Sequence, residues 1–341
     1  MFGPKAYPFL VLNVLKEYSD AQNPLTQKEI INKIYENYNV LIERKAISSS
    51  ICLLNELGYE IERCPNDKQG FALTEREFEP SELTFLTSAV FASKSLPSNY
   101  AKNLVDKLLN CLSKKYRENY NTFIYKCNEV DRTNDKDFFY NIEVISKAIR
   151  NNNKITFNYM TINDDGNKAM RLDDNNKPKT YVVSPYYLIN SRGFCYLISI
   201  HDSSANEERN DVSIFRIDYI KDPKILGAKV REKITSIKKY EKGFNVAQFI
   251  NDHIYMFGTD NPIEVKLKIN DKNGAKYVKE WFGHHSKIYK DGTATYANMR
   301  ADESTFFFWI MQYSEHFTLL EPKSLIQKVR KAAKNILDTY K

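Results

Sequence analysis

Cysteine, glycine and proline are all scarce in this chain of 341 residues. Eleven glycines and eleven prolines are too few for a collagen-like or low-complexity protein. The five cysteines stand singly, without any Cys-x-x-Cys pair. Isolated cysteines in odd number are typical of reduced thiols, so we expect a cytoplasmic protein without disulfides.

Long apolar runs are absent as well. The longest, near Phe85–Ala92 and Phe306–Met311, fall far short of the roughly 18 residues that span a bilayer, so we expect no membrane partner. The first ten residues lack the basic and apolar segments of a secretory signal. In contrast, 23 Tyr, 20 Phe and 42% hydrophobic residues suffice to bury a core, which excludes a disordered chain. The length predicts two or three domains.

Catalytic and metal-binding motifs are also missing. The five histidines form no HExxH motif, no cysteine lies at zinc-ligand spacing, and there is no GxSxG or phosphate-binding loop. We therefore expect no enzyme, no catalytic residue, no metal and no cofactor. The carboxylate pairs Asp164–Asp165 and Asp173–Asp174 keep a metal-dependent nuclease open as the weaker alternative, although a solvated loop explains them better.

The charge is mildly basic, with a net value of +7 and an isoelectric point near 8.8. Two stretches carry most of the excess: Lys221–Lys242 has eight Lys or Arg against three acids, and Lys323–Lys341 has six against one. Such a balance permits a nucleic-acid partner without requiring one. A solvated helix face or a linker would look the same.

The first 73 residues show three helical periods followed by two short strands. Apolar residues at helical spacing occupy 8–19, a capping box at Thr26–Glu29 begins a second helix, and a third runs from Glu43 to Leu57 before Gly58. Tyr59–Arg63 and Gly70–Leu73 read as a hairpin. This order is that of a winged helix-turn-helix, in which the third helix enters the major groove of DNA.

The third helix carries polar side chains that suit contact with DNA. Its short hydroxyls allow close approach, and its cations can reach base edges or phosphates. We predict six DNA-binding residues, the last two on the hairpin: Arg44, Lys45, Ser48, Ser49, Arg63 and Lys68. A protein-binding helical module remains the alternative.

Two helices and then a set of short strands follow. Residues 81–92 and 99–113 have helical apolar spacing, and Phe138–Arg150 is a further helix. Four or five short strands from Ile155 to Ile217 predict a small closed barrel of the SH3/Sm-like kind, because closure removes open edges. Beyond the basic connector, residues 263–320 follow the order β-α-β-β-α-β of a ferredoxin-like domain, with a closing helix to Tyr340.

The predicted barrel interleaves tyrosines with cations. Phenol rings can stack on bases while cations contact phosphates, as on single-strand binding platforms. The predicted ligand-binding residues are Tyr159, Lys179, Tyr187, Arg192, Tyr196 and Arg216. The alternative is that the tyrosines belong to the core and that Arg216 makes a structural salt bridge with Asp218 or Asp202.

Several segments resemble parts of one bacterial family, the DeoR-like regulators that carry a WYL domain. The segment Ile42–Ile61 is similar to their recognition helix, and Glu82–Leu83 with Leu104–Leu108 to their helical linker. The WYL strands are matched by three segments: Val183–Leu188, Cys195–Leu197 and Phe215–Ile220. Cys195 replaces the usual Trp and Tyr219 a usual Arg, and only Lys179 stands near the Arg expected before the proline strand. Residues 261–341 resemble the family's C-terminal WCX extension.

The resemblance implies a multidomain α+β regulator. It predicts five parts: a winged helix-turn-helix at 1–76, a helical linker at 77–137, a WYL barrel at 138–226, a connector at 227–260 and a ferredoxin-like extension at 261–341. The expected protein is a homodimer that binds double-stranded operator DNA. Its barrel would sense a nucleotide or single-stranded nucleic acid. The alternative is a phage-defence accessory protein that binds such ligands without an operator.

Overall fold

The structure is a computed structural model, and it describes residues 3–64, 70–120, 132–133, 135–202, 211–257 and 262–340. The chain divides into two compact units, Met1–Asn134 and Asp135–Lys341. Helices occur with several antiparallel sheets. Among the described helices, none has both the length and the apolar character that crossing a bilayer requires.

The first unit begins with three helices and a short hairpin. Their bounds are α1 (Tyr7–Tyr18), α2 (Gln27–Tyr38), α3 (Arg44–Glu56), β1 (Ile61–Arg63) and β2 (Phe71–Leu73). The predicted helical periods and strands are thus present. Their apolar faces share one core, which includes Val11, Leu15, Ile30, Ile34, Ile47, Ile51 and Leu54.

Local interactions set the ends of these elements. The predicted capping box is formed, since the Thr26 hydroxyl accepts the Glu29 N–H at 3.2 Å and the Glu29 carboxylate accepts the Thr26 N–H at 2.8 Å. The hairpin is held at Gly70, where an added Cβ would lie 2.8 Å from the backbone of Pro24 and of Leu25. Glycine is needed there because Leu25 and Phe71 exchange both backbone hydrogen bonds.

The first unit continues with a helical pair and a short helix. These are α4 (Pro80–Ala92), α5 (Ser98–Leu109) and α6 (Lys114–Tyr120). They form a separate core that includes Leu83, Phe91, Val105, Leu109 and Leu112. The apolar spacing at 81–92 and 99–113 therefore does bury side chains, as the periodicity predicted.

The second unit opens with a helix packed on a sheet. Its elements are α7 (Phe138–Arg150), β3 (Asn153–Ile162), β4 (Lys168–Met170), β5 (Thr180–Ser191), β6 (Phe194–His201), β7 (Ser213–Arg216) and β8 (Ile220–Val230). The strands form an antiparallel sheet in the order β8-β3-β5-β6-β7, and β4 pairs with the end of β3.

The predicted barrel closure is wrong for the described strands. Strand β7 has four residues and passes into a 3₁₀ turn at Ile217–Tyr219, after which β8 pairs with β3 at the opposite edge. Instead of a ladder between β7 and β8, the buried Asn141 side chain of α7 donates to the carbonyls of Ile217 and Ile220. The sheet therefore stays open at this seam, and a helix covers it.

The remainder of the second unit is a short helix and an α/β domain. Its elements are α8 (Val246–Asp252), β9 (Pro262–Ile269), α9 (Gly274–Phe282), β10 (Lys287–Asp291), β11 (Ala294–Asp302), α10 (Glu303–Gln312), β12 (Phe317–Glu321) and α11 (Lys323–Thr339). The four strands form an antiparallel sheet in the order β10-β11-β9-β12. Trp309 and Phe306 are fully buried in its core.

Candidate functional site

The outer face of α3 carries four of the predicted DNA-binding residues. Arg44, Lys45, Ser48 and Ser49 are all exposed, whereas the buried apolar side chains of the same helix are Ile47, Ile51 and Leu54. Helical periodicity separates the two sets, because residues three and four apart share a face. Among the described residues of the first unit, none covers these four side chains to the point of burial.

Contacts from α2 orient the start of this face. Gln27 accepts a hydrogen bond from Nε of Arg44 at 3.1 Å and donates to the Ser48 hydroxyl at 2.8 Å. One amide therefore ties the first turn of α2 to the first two turns of α3. The arrangement holds Arg44 by Nε and keeps its terminal amino groups at the surface.

The other polar residues of the first unit differ in their placement. Arg63 is exposed at the end of β1, and Lys68 lies outside the described residues. Ser50 is buried and donates to the Ala46 carbonyl, and the Asn55 side chain exchanges two hydrogen bonds with the backbone of Ile61. Asn55 therefore anchors the hairpin to α3, a role that its sequence position alone did not reveal.

The second candidate site surrounds Arg216, at the end of β7. Its guanidinium lies between two rings, with the guanidinium carbon 3.8 Å from the ring centroid of Phe194 and 4.5 Å from that of Tyr219. Nε and Nη2 donate to the two carboxylate oxygens of Asp218 at 3.1 and 2.7 Å. Asp218 is 1% exposed, whereas the Arg216 side chain is 28% exposed. The salt bridge considered from the sequence is thus formed.

Two further predicted residues lie beside Arg216 or near it. The Tyr159 hydroxyl accepts the backbone N–H of Arg216 at 2.9 Å, and the Tyr159 ring contacts Tyr219 at a centroid distance of 5.9 Å. Burial raises the pKa of Tyr159 to about 12, so its phenol stays protonated. The exposed Lys179 lies over the ring of Tyr181, which itself contacts Tyr159.

Three predicted ligand residues have other neighbours. Tyr187, at 37% exposure, stacks on Phe244 at a centroid distance of 5.8 Å, and Tyr196 is 8% exposed within a hydrophobic cluster. The Arg192 guanidinium carbon lies 3.6 Å from the ring centroid of Trp281. For these three residues, ligand contact stays a prediction.

Two cations that the sequence did not single out, Lys168 and Arg171, lie close to Tyr219 and Tyr159. Lys168 lies 4.6 Å from the Tyr219 ring centroid and 4.0 Å from Oδ2 of Asp218, and burial lowers its pKa. Arg171 donates to the Tyr181 hydroxyl at 3.2 Å and lies over the Tyr159 ring. Both occur in a segment that reads as a polar loop. The order Lys-Ala-Met-Arg at 168–171 does not alternate, so the sequence carried no periodic signal for β4.

Of the two carboxylate pairs in the nuclease hypothesis, Asp164–Asp165 is exposed, and Asp173 of the other pair accepts the backbone N–H groups of Asn175 and Lys177. Asp164 and Asp165 lie between β3 and β4, beside a turn at Gly166. Throughout the described ranges, no group of three or more His, Cys, Asp or Glu side chains is arranged to hold a metal ion. The structure therefore offers this hypothesis no assembled centre in the part of the chain that it describes.

Comparison with known protein families assigns the second unit. The model of the WYL domain matches residues 140–225, and the model of the WCX domain matches residues 261–337. The chain carries a WYL domain followed by a WCX domain. The Arg216 surface and the tip of the β5–β6 hairpin lie in the WYL domain, and Trp281 lies in the WCX domain.

Two solved structures are similar over most of this chain. One is proteasome accessory factor B/C (PafBC) of Arthrobacter aurescens, with 15% identity, 98% of this chain and 49% of that chain covered, and a TM-score of 0.28. The other is described as a CRISPR Cas-related protein, with 15% identity, coverage of 98% and 84%, and a TM-score of 0.37. The chain spans about half the length of the PafBC chain. No curated protein matches it.

We use the name cationic surface for Lys168, Arg171, Lys179 and Arg216 of the WYL domain. The tyrosines beneath them are in contact with one another, and Tyr159 is the common neighbour of Tyr181 and Tyr219. Asp218 neutralises part of the charge at Arg216. Among the described residues, no ion pair joins Arg171 or Lys179 to a carboxylate. The surface therefore combines excess positive charge with aromatic rings.

The two departures from the WYL pattern have distinct effects on this surface. Tyr219 brings a ring against both Arg216 and Lys168, where an arginine would have added a third charge. Cys195 is buried, and burial raises the pKa of its thiol to about 11. Tyr219 thus reshapes the WYL surface, whereas Cys195 lies beneath it as a protonated thiol.

Proposed function

We propose that this protein is a transcription regulator, not an enzyme, which binds duplex DNA through α3 and a nucleotide or single-stranded nucleic acid through its WYL domain. The observation that carries the proposal is the exposed polar face of α3. Arg44, Lys45, Ser48 and Ser49 all lie there, on a helix whose other face is buried. The three helices with a following hairpin support a winged helix-turn-helix as the DNA-binding part.

The chemistry of the α3 face suits the major groove. Two cations in the first turn can contact phosphates or base edges that carry hydrogen-bond acceptors, and the serines one turn later leave room for the helix to approach. Gln27 restrains Arg44 and Ser48 before DNA arrives, which lowers the entropy lost on binding. In this proposal Arg63, on the hairpin, contacts the DNA backbone.

The cationic surface supports the ligand part of the proposal. Asp218 accepts from Nε and Nη2 of Arg216, and the rings of Phe194 and Tyr219 pack against the guanidinium, so the group is restrained while Nη1 is left to donate. Arg171 and Lys179 add charge for a phosphate, and tyrosine rings are suited to bases. A ligand with an anionic group and an aromatic ring fits these features.

Direct DNA binding tests the first part. Selection from a random duplex library, followed by fluorescence anisotropy, should yield a preferred sequence that the full-length protein binds with strong salt dependence. Arg44→Ala with Lys45→Ala should abolish specific binding and lower the slope of log K against log salt by about 2. Lys102→Ala with Lys107→Ala removes the same charge from exposed positions of α5 and should leave both quantities unchanged.

The competing function predicts the opposite result. If the protein is a phage-defence accessory factor that holds single-stranded nucleic acid, the α3 pair is dispensable, and Arg216→Ala abolishes nucleic-acid binding. Equal loss of duplex binding in the α3 and α5 variants would contradict the regulator, because it would mean that only net charge matters.

A homodimer is part of the proposal. It predicts a two-fold operator and a dimer in sedimentation experiments.

A further inference from the structure

The hairpin between β5 and β6 ends in a tight turn at Arg192 and Gly193. Both residues have positive φ, +50° and +83°, which gives a two-residue turn matched to the twist of the strands. At the tip, Arg192 contacts the segment before the WCX domain and the WCX domain itself. Its Nε donates to the Ile254 carbonyl at 2.7 Å, and its guanidinium lies over Trp281.

The same hairpin also contacts the cationic surface. Phe194 follows the turn directly and lies 3.8 Å from the guanidinium carbon of Arg216. Gly193 alone separates Arg192 from Phe194, so the two residues are close neighbours at one end of the hairpin. Eight backbone pairings between β5 and β6 keep that element in register. One hairpin end therefore contacts the ligand surface and the WCX domain together.

We propose that this hairpin end couples the cationic surface to the WCX domain, so that a change at Arg216 alters the contact between Arg192 and Trp281. The coupling runs through two guanidinium–ring contacts, Arg216 on Phe194 and Arg192 on Trp281, on either side of Gly193. The identity of the trigger rests on the proposed function, since a ligand at the cationic surface is what would displace Arg216. The coupling itself is a property of the hairpin and is testable without any ligand.

The chain contains a suitable reporter. Its two tryptophans are Trp281 and Trp309, and Trp309 is fully buried in the WCX core. Acrylamide quenching of the full-length protein therefore reports mainly on Trp281, and subtraction of the Trp281→Phe signal removes the rest. Arg192→Ala uncovers one face of the indole and should raise the quenching constant roughly twofold.

Three variants test the coupling. Phe194→Leu removes the ring beneath Arg216 but keeps an apolar side chain, and Arg216→Gln removes the charge. Both should raise the Trp281 quenching constant by at least about a third of the Arg192→Ala effect, since coupling energies between sites are typically modest. Lys224→Ala, an exposed change on β8 of the same sheet, should leave it unchanged. Circular dichroism melts identify any variant that fails to fold, in which case the other one decides.

Non-additivity provides the second criterion. Arg192→Ala with Arg216→Gln should match Arg192→Ala alone, because the path from Arg216 ends at Arg192. Wild-type quenching in both Phe194→Leu and Arg216→Gln would overturn the coupling. So would a double variant whose effect equals the sum of the two single ones.

A ligand experiment separates this inference from the proposed function. An oligothymidylate of about eight nucleotides serves as the probe, with its binding followed by the anisotropy of an attached dye. Binding that shifts Trp281 quenching in the direction of Arg216→Gln supports both ideas. Binding without any change at Trp281 overturns the coupling and leaves the proposed function standing. Absence of binding counts against the ligand part of the proposed function, and the variants alone then decide the coupling.

Discussion

Breaking the Arg216–Asp218 pair should lower the free energy of unfolding, and by more when Arg216 is removed than when Asp218 is. Removing one partner of a buried ion pair typically costs about 3–5 kcal/mol, because the other charge is left uncompensated. Asp218 is 1% exposed, so Arg216→Ala strands a buried carboxylate. Lys168, 4.0 Å away, offers it partial compensation, which places the cost near the low end, about 3 kcal/mol.

Removing the carboxylate should cost less. In Asp218→Asn the guanidinium loses a charge-assisted pair, which is worth about 1.5–3 kcal/mol, but Arg216 is 28% exposed and can bind water instead. We therefore expect about 1.5 kcal/mol for Asp218→Asn. The double variant Arg216→Ala with Asp218→Asn strands no charge. It should cost roughly 2 kcal/mol, which leaves a coupling energy of about 2.5 kcal/mol.

Urea unfolding followed by tryptophan emission measures these energies. Both tryptophans lie in the unit Asp135–Lys341, so the signal reports on the unit that contains the pair. Two results would refute the reasoning. One is a smaller loss for Arg216→Ala than for Asp218→Asn, and the other is additivity of the single variants within about 0.5 kcal/mol.

Three further predictions concern stability. Gly70→Ala should cost about 1–3 kcal/mol in circular dichroism melts, because its Cβ would strike the backbone of Leu25, whereas Gly227→Ala meets no atom within 4 Å and should cost far less. Thr26→Ala should cost about 1 kcal/mol of unfolding free energy by loss of the capping box. The pKa of the Cys195 thiol is raised from 9.0 in the unfolded chain to about 11 in the folded protein. The stabilisation that goes with this shift is fully present below pH 9 and is lost as the pH rises to 11. Over that range the urea midpoint of Cys195→Ala should therefore fall less steeply than that of the wild type.

The helices of the first unit were predictable because their signals are local. Apolar residues three and four apart, the capping box at Thr26 and the glycine after α3 all act within a few residues of the structure they determine. The exposure of Arg44 and Lys45 follows from the same periodicity. Asn55 escaped this reasoning because its partner, Ile61, lies beyond the end of the helix.

The sheet was harder to predict because its pairing is non-local. Strand β8 overlaps the basic run Lys221–Lys242, which reads as a connector because of its charge, and its pairing with β3 alone leaves the seam beside β7 open. Asp218 was one of two carboxylates that the sequence offered as a partner of Arg216, and it is the one that forms the pair. Arg171 was missed, since its position depends on the pairing of β4 with β3.

The single amide that spans the open seam of the WYL sheet has an evolutionary consequence. Asn141 grips only main-chain carbonyl groups, those of Ile217 and Ile220, and is indifferent to the side chains between them. Substitutions at Asp218 and Tyr219 therefore leave this main-chain link in place, although loss of Asp218 still costs the ion pair with Arg216. Selection can thus change the side chains that this turn presents at the cationic surface, while the main-chain link to α7 is inherited intact.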